Sequence, residues 1–248
     1  MRHPRRCLDD GVSDGIGLRS KRGPILLAMM LSMGLIAIDT TVLATAVPSV
    51  VADIGGFESF PWLFSIYLLT MSVLVPVYSK LADTIGRKPI LLFGIAVFLL
   101  GSIACGFAWD MTSLIVFRAI QGIGAGAVQP LTITVVGDIY TIEERARVQG
   151  YMSSVWAIAS IAGPALGAVF SELHIWRWVF FINIPLCLLA GWLVLRGLRE
   201  RVERRAHRID YAGSALLTVG LGAVILATLE GGKGWAWGSW VSFALYGG

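Results

Sequence analysis

The sequence predicts an all-α membrane protein, and three observations carry that prediction. Hydrophobic residues make up 56% of the 248 residues and charged residues only 15%, against about 25% in ordinary soluble domains. The apolar residues gather into runs of about twenty, the length that crosses a hydrocarbon core of about 30 Å. Lys and Arg, finally, alternate between connections that are rich in them and connections that are nearly empty.

Seven apolar runs, at about 24–47, 61–79, 89–109, 112–137, 149–171, 177–195 and 211–229, predict seven spans, and an eighth starts at 237 and is cut short at Gly248. The expected organisation is a segment 1–23, a six-helix half 24–195, a basic loop 196–210, and a linker helix with the start of an eighth span over 211–248. The first run follows Arg2, Arg5 and Arg6, as the core of a signal peptide would. It begins only after Arg22, exceeds the 7–15 apolar residues of a signal peptide and contains Asp39, so we read it as a transmembrane helix. Six basic residues precede it and none follows it; Lys80, Arg87 and Lys88 follow the second run and none the third. Arg145 and Arg147 follow the fourth, Arg177 alone the fifth, six arginines from Arg196 to Arg208 the sixth, and Lys233 the seventh. The alternation puts 17 basic residues on one side and 2 on the other, with Arg118 inside a span. By the positive-inside rule the N-terminus and the loop 196–210 are cytoplasmic, in a multi-pass protein of the plasma membrane. The net charge of +4 then reports topology and gives no support to nucleic-acid binding. Cys7, Cys105 and Cys187 have no metal-ligand spacing and imply no disulfide.

The most informative segment is SKLADTIGRK, Ser79 to Lys88, read as a loop between the second and third spans. It resembles the signature G-x-L-x-D-x-x-G-R-K of the major facilitator superfamily, matching at Leu81, Asp83, Gly86, Arg87 and Lys88 and departing at Ser79, a small residue like the glycine it replaces. RAIQGIGAGAVQP from Arg118 to Pro130 resembles the superfamily's R-x-x-x-G motif, and AGPALG from Ala162 to Gly167 resembles the G-P-x-x-G motif of its antiporters, with Ala159 and Ala168 in place of two glycines. IDTTVLATAVP from Ile38, WRWVFFINIP from Trp176 and IDYAG from Ile209 extend the likeness to the fourteen-helix drug:proton antiporter branch. The resemblance implies a fold of two six-helix halves around a central site, with this chain supplying one half, a linker helix and a truncated eighth span. A fragment of a longer chain, a truncated product and an assembly of two copies all fit that expectation.

The residues themselves point to proton coupling. A carboxylate in hydrocarbon is costly as a charge, and burial favours the neutral, proton-carrying form. Asp39 is the only acidic residue well inside the first six spans. It lies fifteen residues beyond Pro24, about 22 Å up a helix rising about 1.5 Å per residue, and so about 8 Å below the far face. Arg118, entering from that face near Thr112, lies about 9 Å below it. The matched depths predict that Arg118 tunes Asp39 if the first and fourth spans face each other, as in the resembled fold, with Gln121 on the same face as Arg118. Structural roles compete: Arg118 as an anchor reaching the interface, and Asp39 hydrogen-bonded to Thr40 or Thr41. Gln121, Trp62, Tyr67, Trp156 and Asn183 are candidate cavity-lining residues, although aromatic residues near helix ends also serve as interfacial anchors. Gly122 and Gly126 are expected to allow close helix packing, and Gly163, Pro164 and Gly167 to bend the fifth span. The resemblance implies that Ser79, Leu81, Asp83, Gly86, Arg87 and Lys88 form a conformational latch.

The reading that follows is proton-coupled efflux of hydrophobic or cationic small molecules, with protons, the lipid bilayer and a second half or second copy as partners and no cofactor or metal. A non-transporting membrane protein and a uniporter or uptake symporter are the alternatives. Enzyme chemistry lacks a basis: His3, His174 and His207 all lie outside the spans, and no nucleophile has a neighbouring His base. The orientation is checked by an impermeant thiol reagent on intact cells: a cysteine at Glu58 is expected to react and one at Arg204 to stay unlabelled. Labelling at Arg204 reverses the topology.

Overall fold

The computed structural model describes residue 20, residues 22–198, and Leu216, Val219, Gly220, Ala223 and Val224. The segment 1–19, most of the loop 196–210, most of the linker helix and the eighth span lie outside the described residues. The elements are α1 (Gly23–Ile54), α2 (Trp62–Ile85), α3 (Arg87–Gly106), α4 (Met111–Ile139), α5 (Ile142–Glu172), α6 (Trp178–Phe181) and α7 (Asn183–Gly197), with a 3₁₀ turn at Phe57–Ser59. Among the described residues, six helices are long and apolar enough to cross a membrane, α6 and α7 together forming the sixth.

Local chemistry explains the boundaries. Pro24 opens α1, where a missing N–H costs nothing. Asp110 and Thr141 form capping boxes with Ser113 and Glu144 at the starts of α4 and α5, satisfying N–H groups that the first helical turn leaves unpaired. The Ser113 hydroxyl, then its backbone N–H, hold the Asp110 carboxyl below the usual carboxylate range. The cap is therefore fully present at neutral pH and is lost only as pH falls through that lowered value. The sixth span divides at Ile182 because Pro185 has no N–H to donate to the carbonyl of Phe181.

Several helices run longer than the apolar pattern predicts. Helix α1 continues through Pro48 to Ile54, and α5 starts at Ile142 rather than near 149. The expected ten-residue loop is corrected to a one-residue joint: Ser79, Leu81 and Asp83 lie on α2, Arg87 and Lys88 open α3, and Gly86 alone separates them. Ser79 and Thr84 hydroxyls bond back to the carbonyls of Val75 and Lys80, so polar residues sit in the helix without unwinding it. Gly86 adopts φ 113°, a backbone conformation open to glycine and strained for other residues. Helix α5 is continuous through Gly163 and Pro164.

Helix α4 is central, with α3 and α2 against it, while α1 packs on α5, α7 and α4. Glycines make these approaches possible. A Cβ at Gly101 would stand 2.7 Å from the Cα of Gln121, and one at Gly126 would stand 2.7 Å from the carbonyl oxygen of Met71. At Gly122 it would overlap the Thr70 hydroxyl, and at Gly163 and Gly167 the hydroxyls of Thr41 and Thr45. In a lipid environment that offers no hydrophobic drive between helices, such backbone contact supplies the association energy.

Two apolar clusters form along the bundle. One gathers Leu26, Met33, Leu91, Phe98, Leu131 and Val194; the other gathers Leu43, Leu63, Cys105, Leu114, Trp176 and Phe180. Between them, on α1, α3, α4 and α7, lies a layer of buried polar side chains: Asp39, Ser102, Arg118, Gln121 and Asn183, each 0% exposed.

The α3–α4 seam yields a stability test. A Cβ at Gly124 would meet the Gly94 carbonyl oxygen at 2.6 Å and the Phe98 Cα at 2.7 Å, both backbone atoms, and overpacking of this kind costs about 1–3 kcal/mol. Thermal unfolding in detergent is expected to show a lower midpoint for Gly124→Ala. Gly150→Ala, with nothing within 4 Å, is the control and leaves the midpoint unchanged or raised.

Candidate functional site

The polar layer is built from five helices. Asp39 projects from α1, and its Oδ2 accepts from Arg118 Nη1 of α4 at 2.5 Å. Its Oδ1 accepts from Gln121 Nε2 at 2.8 Å and from Asn183 Nδ2 of α7 at 3.0 Å. Ser102 of α3 receives the same two amides, at 2.6 Å from Gln121 and 3.1 Å from Asn183. Helix α2 contributes the Leu63 carbonyl, which accepts from Arg118 Nε at 3.2 Å, and the Tyr67 ring, whose centroid lies 4.2 Å from the guanidinium carbon. Arg118 Nη1 also donates to Gln121 Oε1 at 2.5 Å.

Burial of an ion pair is tolerable only when its members are also hydrogen-bonded, since the effective penalty for each desolvated ion is several kcal/mol. Three charge-assisted donors on one carboxylate, one of them a cation, offset that penalty. Some capacity stays unused: Arg118 Nη2, Asn183 Oδ1 and the Tyr67 hydroxyl are buried with no hydrogen-bond partner among the described residues. Arg118 is fully buried and does not reach an interface, and Thr40 and Thr41 donate to the carbonyls of Ile36, Ala37, Ile38 and Ala159 instead of Asp39.

The other sequence candidates separate. Gln121, Tyr67 and Asn183 join the ion pair, whereas Trp62 is half-buried at the start of α2 and Trp156 is 38% exposed on α5. A cavity of about 440 Å³ opens elsewhere, at the Ile54 end of α1, between Pro48, Ser49, Asp53, Ser171, His174 and Trp176.

At the Gly23 end, Arg87 pairs with Asp138 at the end of α4 and stands 4.0 Å from Asp83. Lys88 donates to the Leu195 carbonyl of α7 at 2.7 Å, and Arg22 pairs with Glu144 at 3.2 Å. At the opposite end Asp53 accepts from Trp176 and Arg177, each at 2.9 Å, while Arg177 also donates to the Ala108 carbonyl.

Sequence reasoning missed Ser102, Asp138 and the Asp53–Arg177 pair. Ser102 carried a usable signal, being one of few polar residues inside the third span. Asp138 and Asp53 sit at helix ends, where acidic residues are common and a partner more than fifty residues away leaves no local trace.

The family model described as Major Facilitator Superfamily matches residues 29–248. The multidrug transporter protein MdtP of Bacillus subtilis (strain 168) is 38% identical over 230 residues, covering 93% of this chain and 42% of that protein. Multidrug resistance protein 3 of the same strain is 39% identical over 215 residues, covering 87% and 42%. The chain thus spans about two fifths of the length of these relatives. Among solved structures, the human organic anion transporter MFSD10 (TETRAN) superposes with a TM-score of 0.67 at 16% identity over 90% of this chain and 59% of that one, a likeness of fold.

Removing one member of the buried pair leaves the other uncompensated, a loss of about 3–5 kcal/mol. Arg118→Ala and Asp39→Ala are each expected to lower the unfolding midpoint in detergent strongly, and the double variant by much less than the two losses added together. Additive losses would mean that the two side chains do not act as a pair.

Proposed function

Because this chain belongs to the Major Facilitator Superfamily, we propose that it contributes the proton-carrying six-helix half of a proton-coupled efflux transporter for hydrophobic, often cationic, small molecules. The observation that carries the reading is the Asp39 carboxylate, 0% exposed between two apolar clusters and held by Arg118, Gln121 and Asn183. A structural ion pair needs no carboxylate at such depth, whereas a proton carrier needs one that can be neutralised. Arg118 is the counter-charge of the ionised carboxylate, and a conformational change that admits water to this layer lets Asp39 exchange a proton. The relatives named multidrug transporter protein MdtP and multidrug resistance protein 3, at 38% and 39% identity, support the broad substrate class.

In this reading the Gly23 end is cytoplasmic and the membrane is the plasma membrane. Substrate passes between this half and a second six-helix half, or a second copy of the chain. The joint at Gly86, with the Arg87–Asp138 pair and the Lys88 bond to Leu195, ties the start of α3 to the ends of α4 and α7 and latches one of the two access states.

The test is efflux from proteoliposomes with an imposed pH gradient. Asp39→Asn keeps the size of the side chain but cannot exchange a proton, and is expected to abolish gradient-driven transport while binding of a neutral substrate survives. Arg118→Lys keeps the charge and loses the planar fork, so partial activity is expected. Full gradient-driven transport by Asp39→Asn would assign the proton to another carboxylate; transport indifferent to the gradient in the parent protein would make it a uniporter.

A further inference from the structure

Protonation of Asp39 poses a problem in hydrogen-bond chemistry. In the ionised state all three side chains on the carboxylate are donors. A protonated carboxyl brings one O–H of its own and needs an acceptor inside a buried site where an unmade bond is expensive. The guanidinium of Arg118, which holds Oδ2, has no lone pair to offer. The proton must therefore settle on Oδ1, where the two amides meet.

Of the two amides, one is committed. Gln121 Oε1 accepts from Arg118 Nη1 at 2.5 Å, so turning that amide over would set its NH₂ against an N–H of the guanidinium. Asn183 has no such tie: its Oδ1 is buried without a partner among the described residues, and its Nδ2 faces both Asp39 Oδ1 and Ser102 Oγ. A half-turn about its terminal torsion exchanges the two atoms at almost no change in shape.

From this geometry we propose that Asn183 is a positioning residue that turns its amide over each time Asp39 gains or loses a proton. The inference rests on the proton-carrying role of Asp39. In the ionised state Asn183 Nδ2 donates to Asp39 Oδ1. A proton taken from water binds Oδ1 and neutralises the carboxylate, the amide rotates, and Asn183 Oδ1 accepts the new O–H. Ser102 Oγ, which had accepted from both amides, keeps the bond from Gln121 and turns its own hydrogen to Asn183 Oδ1. Proton release to water reverses each step. Among the described residues, the other ionisable side chains that face Asp39 are Arg118 of α4, Tyr67 of α2, Cys105 of α3 and Cys187 of α7. Helix α5 carries no ionisable residue between Tyr151 and Glu172, and α6 carries none. Asn183 stands where it does because the sixth span breaks at Ile182, which places it at the first position of α7.

Infrared difference spectra of the full-length protein, recorded between neutral and acid pH, test this directly. Asn183 is the only asparagine in the 248 residues, so asparagine carrying ¹³C at its side-chain carbonyl marks that amide alone within this chain and requires no substitution. The expected result is a carboxylic-acid band that vanishes in Asp39→Asn, accompanied by a paired signal in which an unbonded side-chain amide carbonyl is lost and a hydrogen-bonded one gained. That pair should move with the label and be absent from Asn183→Leu, which keeps the shape and removes both donor and acceptor. Asn183→Leu is also expected to reduce gradient-driven efflux about tenfold, the loss of one hydrogen bond to a charged group. A carboxylic-acid band at Asp39 without the label-sensitive pair would overturn the switch and leave the proton carrier standing. Absence of any acid band that depends on Asp39 would overturn both.

Discussion

A carboxylate and a guanidinium sharing a dry interior constrain everything around them. Neither Asp39 nor Arg118 is stable there by itself, and each requires the other at 2.5 Å together with further hydrogen bonds from α2, α4 and α7. That requirement fixes the relative height of four helices, since a shift of one turn, about 5.4 Å, would break the pair. The apolar clusters on either side are less demanding, because a sliding Leu finds another Leu. Specific registration of the bundle therefore resides in the polar layer, whereas the bulk of the packing resides in the clusters and glycine seams.

The two ends of the bundle repeat the logic at lower cost. Arg87 with Asp138, Arg22 with Glu144, and Asp53 with Arg177 and Trp176 each join segments more than fifty residues apart. Their side chains are partly exposed, where ion pairs contribute little net energy and are readily exchanged. Strong bonding is thus confined to the buried layer, and weaker, exchangeable bonding to the ends.

Much of this was legible in the sequence, and for identifiable reasons. Runs of about twenty apolar residues and the alternation of Lys and Arg specify spans directly, and the depth arithmetic that set Arg118 level with Asp39 needed only a rise per residue. The segment from Ser79 to Lys88 was misjudged in shape because polar residues suggest a loop, whereas serine and threonine hydroxyls bonded back to the helix let α2 continue to Ile85. Asn183 was recognised as notable, but its bond to Asp39 depends on how the sixth span sits against the first, a tertiary fact with no local signature. Asp138 stayed invisible for the same reason. Tyr67 and Trp62 illustrate the limit for aromatic residues: five positions apart on one helix, one stacks on the guanidinium and the other stays half-buried near the helix start.

The separation of Asp39 and Arg118 by 79 residues has a consequence for biogenesis. At about 5–20 residues per second of synthesis, the first span waits several seconds for the fourth. An acidic residue at the centre of a helix costs about 2.5–3.5 kcal/mol on insertion scales, and during that wait no arginine is present to compensate. The leucine, isoleucine and alanine content of α1 has to carry the insertion unaided. The first span is thus selected twice, for entering lipid alone and for surrendering its charge to a later arrival.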